Sequence, residues 1–407
     1  MIVTNIKQYS FISWIIACIA INNIIVFTPN LGILYYVIMA VSLSYCLLRS
    51  RIYNLDVAML CLYFCCVISI IGNDIPSFLK PWERFITFLI MTMLLSPLFK
   101  SDFLFNVRIQ VFFLIQKISE LIILFSIVAY FLGFAYKVGF FAGITTHSML
   151  IAPIAANVII RSLYKVIDNG ELSVKIRRYY YILFFCSFIC LLMAASRTAI
   201  LGTIGSIVFF FYWVNRYKFF RFFKYILILI SIMAISYPIW SSSLEIVLDK
   251  NKSSISAGGI VSSRDSHWEN RVKEFESSPV IGIGFSSIST APSSNGGSTF
   301  DISTGRIETG SSWLSSLSML GILGFLCLFF IFFMSLKNAM FLSRLSLNLS
   351  AYLISLLLFW IIHMMAEGYI WGSGSFLFFN VWLLLGCIDA IVVKVNRNEY
   401  NIQNESL

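Results

Sequence analysis

Charge is scarce in this sequence. Asp, Glu, Lys and Arg make up only 12% of its 407 residues, about half the roughly 25% found in ordinary soluble domains, which excludes a soluble globular fold. The short alternating strands of a membrane β-barrel are missing. No Walker A loop or Rossmann glycine fingerprint occurs, so an ATP- or dinucleotide-driven device is excluded. There is no DxD-like cluster to hold Mg²⁺ for a nucleotide-sugar transferase. All nine cysteines fall inside apolar runs, which argues against a disulfide or metal framework. No repeat of convincing period supports a transporter built from inverted repeats.

What is present is apolar sequence, 59% hydrophobic with a mean hydropathy of +0.87. Runs of about 17–25 apolar residues recur along the chain, the length needed to cross a hydrocarbon core as α-helix. They predict an all-α polytopic membrane protein with about twelve spans: 10–28, 31–48, 56–72, 83–98, 111–134, 145–163, 179–195, 198–214, 223–240, 312–335, 351–366 and 373–393. The first run has no small-residue cleavage site after it and reads as a retained span. The expected organisation is nine spans over 1–240, one large polar loop over 241–311, three spans over 312–393 and a tail over 394–407.

Placing the N-terminus inside gathers Arg49, Arg51, Lys100, Arg108, Arg161, Lys175, Arg177, Arg178 and the other cations of those segments on the cytoplasmic side. Only Lys80, Arg84, Lys137 and Arg197 remain on short outer segments, so the positive-inside rule puts both termini in the cytoplasm and the 241–311 loop outside. Within that loop, SRDSHWENRVKEFESSPVIGIGF (263–285) has a helical pattern. Ser266 and Glu269 have capping-box spacing, Trp268, Val272 and Phe275 recur at helical spacing, and Pro279 supplies a stop. Arg271 falls on the same side as this stripe and Arg264 just before the cap, the pattern of a helix lying on the outer membrane face with basic groups at headgroup depth. The SSNGGS stretch (293–298) reads as flexible.

Candidate site residues gather at the outer side. Arg197, in SRTAILG, sits at a tight turn, either as a snorkelling anchor or as a cation aimed at phosphate. Arg84 follows Glu83 in KPWERF and is either a second anion contact or an anchor beside Trp82. His147, in GITTHSMLIAP, is either a structural residue or an acid/base group. His363 and Glu367, four apart, are able to meet on one helical face. Lys117 and Glu120, three apart in span five, read as a neutralising pair. Trp268, Trp313, Tyr369 and Trp371 suit stacking on sugar rings or the membrane interface equally, and His267 adjoins Trp268.

SRTAILG (196–202), SSRDSHWENRVKEFESSPVIGIGF (262–285) and GSSWLSSLSMLGILGF (310–325), in this order, resemble the shared C-terminal signature of O-antigen polymerases (Wzy) and O-antigen ligases (WaaL), over about a third of the chain. GITTHSMLIAPIAA and AEGYIWGSGSF resemble polymerase segments. The resemblance implies a membrane glycosyltransferase of the C class that takes a glycan from undecaprenyl pyrophosphate at the periplasmic face of the inner membrane. Arg197 and Arg264 match family arginines that contact the donor pyrophosphate. Where the ligases carry a histidine-asparagine pair that activates the acceptor, the corresponding places in this chain fall near Gly310 and Ser311, a departure that favours polymerase over ligase.

The expected reaction joins lipid-linked repeat units, with Arg197 and Arg264, and Arg84 behind them, stabilising the leaving pyrophosphate. Glu367, His147 or His363 serves as base. Arg271, His267, Trp268, His363, Tyr369 and Trp313 are expected to bind substrate. No metal or other cofactor is required. The expected partners are the lipid-linked oligosaccharide, membrane lipids, a chain-length regulator of the Wzz type and a flippase, with no nucleic acid. The alternatives are a ligase acting on lipid A-core and a flippase of lipid-linked oligosaccharide.

Overall fold

In a computed structural model, the structure describes residues 10–137, 139–168, 173–216, 262–289, 300–301 and 306–397, with single positions at 220, 224, 227 and 231. The expected span at 223–240 and the SSNGGS stretch lie outside the described residues, apart from those single positions.

Many of the helices begin where a polar side chain closes the first turn. Asp56 accepts from Met59 N, Ser311 from Leu314 N, Ser346 from Leu349 N, Ser375 from Leu377 N and Ser173 from Ile176 N, each satisfying a backbone donor that the helix cannot. In chain order the elements are α1 (Phe11–Asn22), α2 (Ile33–Arg49), α3 (Val57–Ile71), α4 (Pro81–Leu95), α5 (Asp102–Phe131), α6 (Ser148–Ile167), α7 (Val174–Met193), α8 (Arg197–Val214), α9 (Ser262–Ser277), α10 (Ser312–Phe341), α11 (Leu347–His363) and α12 (Phe376–Asn396). Helix makes up 74% of the described residues, and the strands described are three two-residue antiparallel ladders. The protein is therefore an all-α polytopic membrane fold. Among the described residues six helices are long and apolar enough to cross a membrane, and α1, α2, α3 and α11 are shorter apolar helices.

The hydrogen bonds between connecting segments show which helix ends share a side. Thr146 N donates to Ile24 O, Asn73 Nδ2 donates to Gly282 O, Gly374 lies against the Tyr36 hydroxyl, and Ser312 N donates to the carbonyls of Met364 and Glu367. The connections after α1, α3, α5 and α11 thus gather with α9 at one end of the bundle. At the opposite end, Lys100 pairs with Asp389, Arg397 with Asp102, and Lys394 with Asn106.

Three expectations about charge are corrected there. Arg108, expected in a cytoplasmic segment, lies inside α5, which starts at Asp102 rather than 111. It is 1% exposed and donates to the carbonyls of Leu94, Phe99 and Met93, closing the C-terminus of α4 from the side. Arg161, counted with the cytoplasmic cations at the end of the expected span 145–163, is buried in α6 and bonds Glu120 Oε1 at 2.6 Å. The other oxygen of Glu120 accepts from the Tyr179 hydroxyl at 3.2 Å, so Glu120 is neutralised across three helices rather than by Lys117. Ionisable side chains are therefore not confined to the α9 end.

α10 is broken in mid-course. Gly321 has φ 65° and ψ −168°, a conformation essentially reserved for glycine, and the backbone groups it frees are taken up by the PVIGIG segment after α9. Ile283 N donates to Ser318 O and Gly284 N to Met319 O, while Ile322 N donates to Pro279 O. Ser69 Oγ on α3 adds a bond to Met319 O at 2.6 Å. A broken helix at membrane depth is tolerated when protein groups satisfy its backbone in this way.

Candidate functional site

The start of α10 and the 364–375 connection meet around one hydroxyl. Ser312 Oγ donates to Glu367 O at 2.6 Å and accepts from the backbone N–H groups of Tyr369 at 3.0 Å and Ile370 at 3.3 Å. It therefore pins the 367–370 turn onto α10. Trp371 Nε1 donates to Ser316 Oγ one turn further along, and Trp313 Nε1 donates to Ile361 O. The serine-rich GSSWLSS sequence acts here as a row of short hydroxyls that let two chain segments approach closely.

His363 and Glu367 do not share a helical face. α11 ends at His363, and the ring, 1% exposed, places Nδ1 3.0 Å from the Tyr369 hydroxyl while stacking on Phe359. Burial, followed by the Glu367 charge, pushes the Tyr369 phenol well above its ordinary range, so this hydroxyl stays protonated. The pair closes the 364–369 turn from within.

α9 docks beside this junction. Trp268 Nε1 donates to Gly310 O at 3.3 Å, and His267 stands so close that a Cβ at Gly310 would lie 2.8 Å from its own Cβ. Gly310 has φ +68°, which disfavours any side chain at this position. The helix itself departs from its expected form. It begins at Ser262, so Ser266 lies within it rather than at its cap, and Glu269 instead pairs with Lys273. Val272, expected on the apolar stripe, is 42% exposed. The buried positions are Arg271 and Glu274. Arg271 Nη1 lies 2.8 Å from Glu274 Oε2 and also donates to Ser287 O and Ser318 Oγ, while Glu274 Oε1 accepts from Ser289 N. Burial pulls the Arg271 guanidinium below its ordinary range, and Glu274 opposes this. Arg271 is therefore directed into the protein and not to headgroup depth.

The remaining candidates stand on other elements. Arg84 is half-buried in the first turn of α4, within electrostatic reach of Tyr36. Ser373 lies 2.9 Å from Thr87 Oγ1, so α4 meets the 364–375 connection one turn beyond Arg84. Phe85, Phe88, Phe285 and Trp371 form an aromatic cluster between the two. Arg197 is the first residue of α8, half-buried, after a turn in which Ala195 has φ +51°. His147 is the exposed N-cap of α6, its Nδ1 accepting from Met149 N. Arg264 belongs to α9 by its backbone, and its side chain lies outside the described residues. Sequence reasoning did not single out Ser312 or Thr309. Their signal was the small polar run before an apolar helix, which reads equally well as a simple cap.

Together these features define a polytopic α-helical membrane protein in which a short polar helix is docked over one end of the bundle, against a broken span. A family model described as O-antigen ligase matches residues 182–329, a match over about a third of the chain that supports membership of the superfamily of O-antigen ligases and polymerases, whose members are membrane enzymes of glycan transfer. The match covers the second half of α7, α8, α9 and the first half of α10 past Gly321, including Arg197, Arg264 and Gly310. No curated protein matches the chain.

Proposed function

We propose that the protein is a polymerase of surface polysaccharide that joins oligosaccharide repeat units carried on undecaprenyl pyrophosphate at the periplasmic face of the inner membrane. The observation that carries this reading is the backbone of Gly310, whose φ of +68° and proximity to His267 leave no place for a side chain. It lies near the position where the sequence resemblance puts the acceptor-activating histidine of the ligases. The acceptor is then the sugar hydroxyl of a second lipid-linked unit rather than lipid A-core. Arg197 and Arg264, with Arg84, stabilise the charge that develops on the departing pyrophosphate, an interaction stronger in a partly dehydrated site than in water. A chain-length regulator and a flippase that delivers the units are the partners of such a reaction.

The test is the gel profile of surface polysaccharide after deletion of the gene and complementation with wild type or Arg264→Ala. A polymerase predicts loss of the ladder with a core-plus-one-repeat band retained, restored by wild type and not by Arg264→Ala. Bare core with polymer accumulating on the lipid carrier would instead establish the ligase.

A further inference from the structure

The three histidines of this chain differ in what holds their rings. In His147 the Nδ1 atom accepts from Met149 N, and in His363 it meets the Tyr369 hydroxyl. In His267, Nδ1 is buried and has no hydrogen-bond partner among the described residues. Thr309, 8% exposed, carries a second such atom, its Oγ1. The two orphans flank one peptide. His267 packs on Gly310, Thr309 precedes it, and the Thr309 hydroxyl rests directly on Gly368, where a Cβ would overlap it. A buried imidazole nitrogen and a buried hydroxyl left unpaired destabilise the folded state. A hydroxyl that reached either atom would supply the partner it lacks.

A sugar hydroxyl has that chemistry, since its hydrogen donates and its oxygen accepts. Arg271, the buried arginine described on α9, is committed to Glu274, Ser287 and Ser318 and is not a further contact at this junction. The position also fits α9 as a docking element, because the Trp268 bond to Gly310 O fixes the helix register that sets His267 at the junction.

We propose that His267 is the base for the acceptor hydroxyl, with Thr309 orienting the same oxygen; this rests on the polymerase reading above. In the step, the hydroxyl proton passes to His267 Nδ1 and the hydroxyl oxygen bonds to the anomeric carbon of the donor. The bond from that carbon to the pyrophosphate oxygen breaks, and its electron pair leaves with undecaprenyl pyrophosphate. The imidazolium then gives its proton to water.

The experiment uses the full chain in lipid vesicles with a synthetic undecaprenyl-pyrophosphate-linked repeat unit, polymer being read on gels. His267→Ala and His267→Gln should lower the rate by about 100-fold or more, the usual contribution of a positioned base. Both should elute as wild type does and keep α9 as resistant to trypsin. Added imidazole should restore part of the rate in His267→Ala and none in His267→Gln, and Thr309→Val should raise KM for the acceptor unit. A His267→Ala protein with undiminished rate, or one that is inactive and indifferent to imidazole, would overturn the assignment. A wild-type protein that ignores the lipid-linked unit as acceptor but transfers to lipid A-core would overturn the polymerase reading alone, and His267 would then be scored with that acceptor.

Discussion

Arg271 and Glu274, one turn apart on α9, form an ion pair of 2.8 Å in which neither side chain is more than 5% exposed. The pair faces inward and spends its remaining hydrogen-bonding capacity on Ser287 O, Ser318 Oγ and Ser289 N. It therefore fastens α9 to α10 and to the chain that follows it. Arg271→Ala leaves Glu274 buried without its counter-charge and should destabilise the docked helix by about 3–5 kcal/mol. Trypsin cleavage within α9 should accelerate accordingly. Arg271→Met combined with Glu274→Gln should recover much of the protection, because no charge is then stranded and Gln retains an acceptor for Ser289 N.

Gly310 gives a sharper test. Any Cβ there meets a left-handed backbone, costing about 1–2 kcal/mol, in addition to the approach of His267 at 2.8 Å. Gly310→Ala should loosen α9 and shorten or abolish the polysaccharide ladder, while Ser311→Ala, which keeps the backbone conformation, should have a smaller effect. Gly310→His should not confer transfer to lipid A-core. Gels of cells carrying each variant measure all three outcomes.

Much of this architecture was legible in the sequence, because twenty-residue apolar runs leave little choice of structure in a membrane. α2, α3, α8 and α10 begin within two residues of the starts read from hydropathy. One error came where a cation, Arg108, was read as a loop marker. Arg108 and Arg161 are tolerated inside helices because α4 carbonyls and Glu120 meet them across tertiary contacts, and hydropathy holds no record of such partners. α9 failed for the same reason, since a helical wheel ranks Val272 above Arg271 for burial and cannot see Glu274 and Ser318 converging on the guanidinium. The helical pairing of His363 with Glu367 assumed that the helix continued, but it stops at His363, and Tyr369 folds back through Ser312. That Trp313, Tyr369, Trp268 and His267 lie at one end of the bundle follows from the order of the apolar runs, whereas their convergence on Ser312 and Gly310 depends on packing.

The break in α10 depends on one residue. A Cβ at Gly321 would overlap the carbonyl of Val280 as well as forcing a backbone region that side chains avoid. Gly321→Ala should therefore separate the PVIGIG segment from Met319–Ile322, leaving several backbone groups unpaired. The expected result is a large loss of folded protein by fluorescence-detected size exclusion. Gly205→Ala in α8 serves as the comparison, since the neighbour its Cβ meets is the far end of the Ile362 side chain at 3.2 Å and not another segment's backbone.

Glu120 and Arg161 lie away from the α9 end, so their variants separate stability from catalysis. Glu120→Gln removes the charge that offsets a guanidinium 2% exposed, and the loss should be about 3–5 kcal/mol, as for other broken buried pairs. The melting temperature in detergent should fall clearly. Arg161→Met with Glu120→Leu takes both charges out, and replacing a complete buried pair by apolar groups is often neutral. Tyr179 then loses the acceptor for its hydroxyl, but Tyr179 is 37% exposed, so that hydroxyl has access to water or lipid headgroups. The double variant should therefore melt closer to wild type than Glu120→Gln and keep polymer formation near normal. If the double variant were stable yet made no polymer, the buried pair would have a part in the reaction that its distance along the bundle from Ser312 does not explain.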